Sequence, residues 1–409
     1  MKSGIAPTVV DEESRRDSAP DIWLTRFSRL MARFVPDAVS TTVFLLVALF
    51  IAALATGNTL AATMDAWYRG LWMLLPFTMQ MTLVLVLGSV LGATPLIRKI
   101  IRLLSQKPRT VTQVIIYSVL LTAGISYLNW GLALALGPLI AIHFASEAER
   151  KGIEIDFPFL LAAMGGAGSV WQFGLSASAP LLMATPGHFL ESTTGIMDLR
   201  STIWAPATIF LQVGFTVAVI IVARLLMPRK VSPLSQFPEA RKLAETGRTS
   251  ESERTKEGQD AGKVNYSERL ERHSLIPAIL GAALLGWLYY HFWVKGASLD
   301  LNSLNTIFLL FCFLLHRNIR NFSQALQRAV ASCWPILVLY HLYAGVAGLI
   351  QFTTVGESFA NLFVPLSTRY TFPLWTAIAG TIVAIFVPSS GGQWVIQGFV
   401  TTRAAEAVG

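Results

Sequence analysis

The chain has 409 residues, of which 53% are hydrophobic and only 14% are charged, and its net charge is +8. Soluble proteins carry about 25% charged residues, so this composition argues against an ordinary soluble domain. The positive charge fits Lys- and Arg-rich loops beside a membrane, and nucleic-acid binding is not needed to explain it. Cys312 and Cys333 lie in or beside apolar runs, which indicates small core residues rather than a disulfide or a metal pair.

The charges are segregated along the chain. Long stretches contain no Asp, Glu, Lys or Arg, among them 38–64, 70–97, 110–146, 157–190, 201–223, 329–356 and 370–402. A helix that spans a bilayer needs about 20 apolar residues. We therefore predict an all-α polytopic membrane protein.

Residues 1–38 are predicted to form a cytoplasmic tail without a signal peptide. Within the tail, "IWLTRFSRLMARFV" places apolar side chains on one helical face and Arg26, Arg29 and Arg33 on another. This pattern is typical of an amphipathic helix that lies on an anionic membrane surface.

Orientation follows from the distribution of Lys and Arg, which favour cytoplasmic loops. Span 39–56 leads outward, and span 73–96 returns to the basic sequence "IRKIIRLLSQKPR". The run 110–146 then leads outward to "SEAERKGIEID", where the charges balance.

The next part of the first half, 39–227, contains a conflict. Span 203–223 ends beside Arg224, Arg229 and Lys230, so its end should lie inside. We therefore predict that 157–190 enters and leaves on the outer side as a re-entrant hairpin, with the broken sequence "MGGAGSVWQFGLSASAP" at its tip. Such backbone requires surrounding protein or a water-filled cavity.

A polar cytoplasmic linker, 228–273, is predicted to be disordered. It separates the first half from a second transmembrane half, 274–409. The spans predicted in the second half are 275–294, 302–316, 331–351 and 370–386.

The two halves share a pattern. Each contains an arginine seven residues before a proline, and a polar break 53 residues after that proline. The matching residues are Arg69, Pro76 and Asn129 in the first half, and Arg328, Pro335 and Pro388 in the second. The charge distribution orients the halves oppositely, so we predict inverted repeats with broken transmembrane helices, which is typical of secondary transporters.

A broken helix exposes N–H groups at one half-helix and C=O groups at the other. The N–H end attracts an anion, and the C=O end suits a cation. Both breaks are rich in small residues, which let a solute approach the backbone.

Three motifs resemble those of a known family: "YLNWGLALALGP", "GLSASAPLLMATPGH" and "VPSSGGQWVIQG". They resemble the bacterial short-chain fatty acid transporter family. The resemblance implies a multi-pass inner-membrane carrier of the ion-transporter superfamily; the basic tail predicts a cytoplasmic N-terminus, and no cofactor is expected. It implies import of acetoacetate or butyrate-like monocarboxylates by alternating access. Family members continue beyond residue 409, so we expect a C-terminally truncated member with an incomplete second half.

Substrate binding is predicted at three places. The residues are Asn129, Trp130 and Gly131 at the first break; Gly174, Ser176, Ser178 and Thr185 in 157–190; and Ser389, Ser390, Gly391, Gly392 and Gln393 at the second break. Helix kinking and close packing of small residues are the alternative explanations. His341, within an uncharged span, is a candidate proton relay.

No Asp or Glu lies within a predicted span, so a carboxylate substrate would be held by helix N-termini, hydroxyls and amides. Coupling stays open between Na⁺ near Asn129 and Ser389, H⁺ through His341, and the substrate's own proton. An ion or small-anion channel is one alternative function. An intramembrane serine hydrolase using "GLSA" is another. A homodimer in the bilayer also stays open.

Overall fold

The computed structural model describes residues 37–228, 230–243, 271–363, 367–387 and 389–408, together with Arg26 and Pro365. Apart from Arg26, the interfacial helix predicted over residues 22–35 lies outside this part of the chain, as do residues 244–270 of the predicted linker.

The described residues are helical and contain no strand. The first half comprises α1 Ala38–Ala55, α2 Leu60–Met73, α3 Leu75–Gly92, α4 Pro95–Ser105, α5 Val111–Leu128, α6 Trp130–Arg150, α7 Phe157–Gly168, a 3-10 turn Ser169–Phe173, α8 Ser178–Met183 and α9 Pro206–Leu225. The second half comprises α10 Leu275–Tyr289 with a π turn Tyr290–Val294, α11 Leu301–His316, α12 Ile319–Val330, α13 Trp334–Gln351, α14 Val355–Phe363, α15 Phe372–Phe386 and α16 Ser390–Val408. Seven helical stretches of the described chain are long and apolar enough to cross a bilayer. The prediction of an all-α polytopic membrane protein is confirmed.

Helix α3 supplies a direction for the molecule. We call the end where α3 begins, at Leu75, the upper end, and the end where it stops, at Gly92, the lower end. Helix α6 runs beside α3 in the same direction, because a Cβ on Gly131 would meet Leu85 and one on Gly92 would meet Leu136. The beginning of α6 therefore lies at the middle of α3, halfway through the molecule.

Helices α5 and α6 form a hairpin that enters and leaves at the lower end. The ammonium group of Lys151, which follows α6, donates to the carbonyl oxygens of Gln106 and Pro108, which precede α5; the distance to Pro108 is 2.8 Å. Arg224, at the end of α9, donates to the Thr112 hydroxyl at the beginning of α5, at 2.9 Å. The run 110–146 thus turns back at Asn129 instead of crossing to the other side.

The segment 157–190 crosses from one end to the other, contrary to the predicted re-entrant hairpin. At the lower end, the Asp156 carboxylate accepts the Ser232 N–H at 2.9 Å. At the upper end, the Thr185 hydroxyl accepts the Leu301 N–H at 3.1 Å. Two runs of the first half contain polar interruptions, 110–146 and 157–190, and the charge distribution requires only that one of them turns back. The charges after residue 146 balance, so they did not show which run this was, and the prediction chose the wrong one.

The second half is interleaved with the first. Helix α11 runs parallel to α3: Asn305 donates to the Gln80 carbonyl at 2.9 Å, and His316 lies 2.9 Å from the Val90 carbonyl. Helix α12 then packs on α3, while α2 packs on α13. At that second contact, Gly70 and Gly348 bring the two backbones together.

Helices α15 and α16 form a second hairpin, which enters at the upper end. The beginning of α15, at Phe372, and the end of α16, at Ala404, line one cavity together with Ile350, near the end of α13. The Asn58 amide donates to the Thr354 hydroxyl at 2.7 Å, which places the end of α13 beside the end of α1. The predicted inward crossing of 370–386 is therefore one arm of a hairpin that turns back after residue 387.

Part of the predicted disordered linker is packed against the first half. The Ser235 N–H donates to Glu149 at 2.8 Å, and Leu234 is buried in the hydrophobic core. These contacts close the lower end below α6 and α7.

Candidate functional site

Asn129 forms the tip of the first hairpin and is fully buried. Its side-chain oxygen accepts the Leu132 N–H at 2.8 Å and so caps α6, while its amide nitrogen donates to the Val84 carbonyl at 3.1 Å. Gly131 lies against Leu85, since an added Cβ would stand 2.6 Å from the Leu85 Cα. Both residues therefore fix the tip to the middle of α3, and the Asn129 amide is already engaged by protein groups.

The break between α7 and α8 lies directly against this tip. The Trp130 N–H donates to the Ser176 hydroxyl at 2.9 Å, and the Leu175 N–H donates to the Tyr127 carbonyl at 2.7 Å. Gly174 faces the Tyr127 carbonyl so closely that a Cβ would collide with it. Gly174 and Ser176 therefore join the break to the hairpin, and Ser176 is completely buried.

Ser389 forms the tip of the second hairpin. Its hydroxyl accepts the Gly392 N–H at 3.3 Å and so caps α16, as Asn129 caps α6 three residues ahead. The same hydroxyl lies 3.4 Å from the Tyr340 hydroxyl of α13. The N–H groups of Ser390 and Gly391, in the first turn of α16, have no acceptor within the helix.

The two tips and the break meet at one place. A Cβ on Gly391 would lie 3.0 Å from the Ser178 Cβ, and one on Gly392 would collide with the Tyr343 ring. Beside them lies a cavity of about 210 Å³. It is lined by Met81, Trp130, Trp171, Ser178, Pro335, Ile336, Leu339, Tyr340, Tyr343 and Ser389. We call this space the central cavity.

The central cavity is apolar on most sides and polar at one corner. Its polar groups are the hydroxyls of Ser178, Ser389 and the two tyrosines, and none of the described residues that line it is charged. Its volume is many times the space of about 10–15 Å³ that a single water molecule needs. It therefore suits a small solute that combines an apolar part with one polar group.

Of the residues proposed from sequence, Trp130, Ser178 and Ser389 line the central cavity, the other residues of the tips and the break pack beside it, and Thr185, Gln393 and His341 lie elsewhere. The Thr185 hydroxyl joins the end of α8 to the beginning of α11, donating to the Leu181 carbonyl at 2.6 Å as it accepts the Leu301 N–H. Gln393 donates to the Gly380 carbonyl at 2.7 Å and so connects the two arms of the second hairpin. His341 is half-buried and packs edge-on against Trp72, on a side of α13 that does not line the central cavity.

Sequence reasoning missed several residues of the cavity wall. Tyr340 and Tyr343 lie on α13, which has the same length as α3 and, like α3, a proline in its first turn. Trp171 lies in the 3-10 turn, where the Ser126 hydroxyl accepts its N–H at 3.1 Å. A tryptophan inside a glycine-rich break is the signal that could have identified it.

The profile of the family described as "Short chain fatty acid transporter" matches residues 23–409. The chain belongs to this family. A relative in Escherichia coli (strain K12), named as a candidate short-chain fatty acid transporter, is 30% identical over 389 residues, covering 94% of this chain and 86% of the relative. A relative in Haemophilus influenzae (strain ATCC 51907 / DSM 11121 / KW20 / Rd) with the same name is 30% identical over 398 residues, with the same coverage. No solved structure matches the chain at a significant level.

Membership agrees with the chemistry of the central cavity. A short-chain fatty acid transporter handles a small solute with an apolar tail and one carboxylate, and the cavity presents an apolar wall and one polar corner. The cavity also lies where the two hairpins and the broken helix of this family member come together.

Proposed function

We propose that the chain is a secondary transporter that carries short-chain monocarboxylates, such as butyrate and acetoacetate, across the bacterial inner membrane. The observation that carries this proposal is the meeting of two hairpins, one from each end of the molecule, at a single central cavity. A binding site that two similar hairpins reach from opposite ends is typical of secondary transporters that work by alternating access.

The two halves support this mechanism as inverted repeats. Helices α2 to α6 correspond in order to α12 to α16, and α3 and α13 each have 18 residues. Helix α2 packs on α13 and α12 packs on α3, so the corresponding contacts are made at opposite ends. We infer that rocking of one half against the other exposes the central cavity to each side in turn. The lower end, with its basic loops and the N-terminal side of α1, is the cytoplasmic one.

The carboxylate of the substrate is placed at the beginning of α16. The N–H groups of Ser390 and Gly391 and the positive end of the helix dipole favour an anion there. The Ser389 hydroxyl, with Ser178 facing it across the cavity, supplies a further donor. The acyl tail then extends along the apolar wall toward Trp130. No side-chain cation is needed for this placement.

Coupling to a cation completes the proposal. Na⁺ would bind to oxygens near Asn129 and Ser389, whereas H⁺ would enter through His341 or with the substrate. The engagement of both amide atoms of Asn129 leaves less capacity for Na⁺ on that side chain. The position of His341 beside Trp72, away from the cavity, does not favour a relay through His341.

The test is uptake of labelled butyrate and acetoacetate into proteoliposomes, with Na⁺ and H⁺ gradients imposed separately. Saturable uptake that one gradient drives is expected. Loss of the hydrogen bond from the Ser389 hydroxyl to the charged carboxylate removes about 1.5 kcal/mol of binding free energy. Ser389→Ala should therefore raise the apparent KM for butyrate about ten-fold.

Ser358→Ala is the matched control, because this exposed serine on α14 donates only to the Thr354 carbonyl. Its KM should equal that of the unmodified protein. Absence of uptake under either gradient would contradict the transport proposal. Flux that never saturates would favour a channel.

A further inference from the structure

A second cavity lies directly behind the central one. It measures about 500 Å³ and is lined by Thr122, Trp130, Ala133, Leu134, Gly137, Pro138, Leu161, Met164, Gly165, Gly168, Ser169 and Trp171. Its walls are the two arms of the first hairpin and helix α7. These residues follow the tip toward the lower end along α6 and precede the break along α7, so the cavity lies below the tip. We call it the lower cavity.

Trp130 and Trp171 are the two residues that line both cavities. Their ring centroids lie 6.2 Å apart with a tilt of 45° between the ring planes. Two indoles at this distance are in the range of a direct aromatic pair. The pair is therefore a partition between a small cavity and a larger one.

Hydrogen bonds fix the backbone beneath both rings. The Trp130 N–H donates to Ser176, and the Trp171 N–H donates to Ser126. The Ser126 hydroxyl also bonds the Gly168 carbonyl, and the Gly174 N–H donates to the Trp171 carbonyl at 3.0 Å. These bonds fix the backbone at both positions, so a ligand could displace a ring only by changing its side-chain rotamer.

Two polar atoms lie in the wall of the lower cavity without being exposed to its interior. The Thr122 hydroxyl and the Trp130 Nε1 are buried and make no hydrogen bond among the described residues, and Thr122 is 2% exposed. Most of the remaining wall is apolar, as at Leu134, Leu161 and Met164, and the cavity opens to the outer surface of the protein at Leu134 and Leu161. This space would accept a longer acyl chain if the partition were removed.

Resting on the proposed function, we propose that the Trp130–Trp171 pair sets the upper limit of acyl chain length. With the carboxylate at the beginning of α16, the tail of a four-carbon acid ends inside the central cavity, and further methylenes meet the indole rings. Trp171 is then a specificity-determining residue, which excludes medium-chain acids by closing the route to the lower cavity.

The experiment compares the affinities of butyrate and hexanoate for the purified protein in lipid nanodiscs by isothermal titration. A buried methylene contributes about 0.8 kcal/mol, which is about four-fold in affinity at 1.4 kcal/mol per ten-fold. Hexanoate is two methylenes longer than butyrate. Trp171→Ala should therefore shift the ratio of the two affinities toward hexanoate by on the order of ten-fold, while butyrate still binds. Trp293→Ala removes a tryptophan that is 74% exposed on the outer surface of the protein and should leave the ratio unchanged.

A second substitution tests the route itself. Gly165 lines the lower cavity, and a Cβ there would meet no atom within 4 Å. Adding Gly165→Leu to Trp171→Ala should refill the space and return the ratio to that of the unmodified protein. If Trp171→Ala does not fold, Trp171→Leu replaces it in the comparison of the butyrate and hexanoate affinities, because leucine keeps an apolar side chain in the 3-10 turn.

Two results would overturn the inference. One is an unchanged ratio in both Trp171 variants when butyrate binds normally; the other is a shifted ratio that Gly165→Leu does not reverse. Absence of butyrate binding by the unmodified protein would instead contradict the proposed function itself, so the two failures are distinguishable.

Discussion

Substituting Gly131 by Ala should displace the first hairpin. The α-carbon of Gly131 faces α3 so closely that a Cβ would lie 2.6 Å from the Leu85 Cα and 2.8 Å from the Leu85 carbonyl oxygen. Both atoms belong to the backbone, so no side chain can rotate away. Restoring a contact of about 3.4 Å requires α6 and α3 to separate by about 0.8 Å, which would pull Asn129 away from the Val84 carbonyl.

The magnitude follows from two opposing effects. Overpacking of this kind destabilises by about 1–3 kcal/mol. Replacing Gly by Ala inside a helix stabilises by up to about 1 kcal/mol. Gly137 lies on the same helix, and a Cβ there would meet no atom within 4 Å. A helix-propensity gain of at most about 1 kcal/mol applies at either position, so the difference between the two variants mainly reports the collision.

The assay is thermal unfolding of the purified variants in the same detergent. At about 2–4 °C per kcal/mol, Gly131→Ala should unfold roughly 3–10 °C below Gly137→Ala. It should also bind butyrate more weakly, since Trp130 moves with the tip. Equal unfolding temperatures would refute the reasoning that the first hairpin is fixed to α3 through Gly131.

Three further predictions concern the topology, the second hairpin and a helix cap. Single cysteines replacing Lys151 and Gly187 in a cysteine-free background should be labelled from opposite sides of the membrane. Labelling of both cysteines from the same side would support the hairpin over 157–190 that the sequence predicted. Gln393→Leu should lower the unfolding temperature, because the Gly380 carbonyl of α15 loses the donor that the Gln393 amide supplies. The same substitution should change the butyrate affinity by less than two-fold. A ten-fold loss of affinity would place Gln393 in the binding site. The Ser40 hydroxyl and N–H donate to the Asp37 carboxylate, which caps α1, and lower its pKa. The stabilisation that ionised Asp37 gives to the folded protein is therefore complete above the ordinary aspartate pKa of about 3.9. It declines as the pH falls through the lowered pKa. The difference in unfolding temperature between the unmodified protein and Asp37→Ala should accordingly be larger at pH 7 than at pH 3, and a constant difference would contradict this.

The positions of the breaks were predictable from sequence. Matched prolines and matched polar interruptions located the breaks at Asn129 and Pro388, and Asn129 and Ser389 prove to be helix caps at the hairpin tips. This succeeded because proline and capping residues act on the backbone locally, within a few residues of their own position.

The path of the chain through each break was not predictable. A polar interruption has the same local sequence in a hairpin tip as in a crossing helix that is broken. What separates the two is a tertiary contact, such as that of Lys151 with Pro108. Charge counting placed the end of α9 on the same side as the loop before α5, where the structure also has it, but could not decide which run turned back.

Roles of single polar residues also depended on tertiary contacts. Thr185 and Gln393 lie within the motifs, yet their side chains bond backbone carbonyls at helix junctions. Conversely, Tyr340 and Trp171 carry no motif and still line the central cavity. Hydroxyl and amide groups serve packing and binding equally well, so residue type alone did not separate them.

The exchange of helices between halves constrains how the protein reaches its native state. Helix α2 finds its packing partner in α13, and α3 finds two of its partners in α11 and α12, all of which are synthesised later. Until then, the face of α2 around Gly70 and the face of α3 around Leu87 have no native neighbour. Neither half is therefore an independent folding unit. A chain cut between residues 243 and 271 should assemble when both fragments are produced together, and each fragment alone should be degraded.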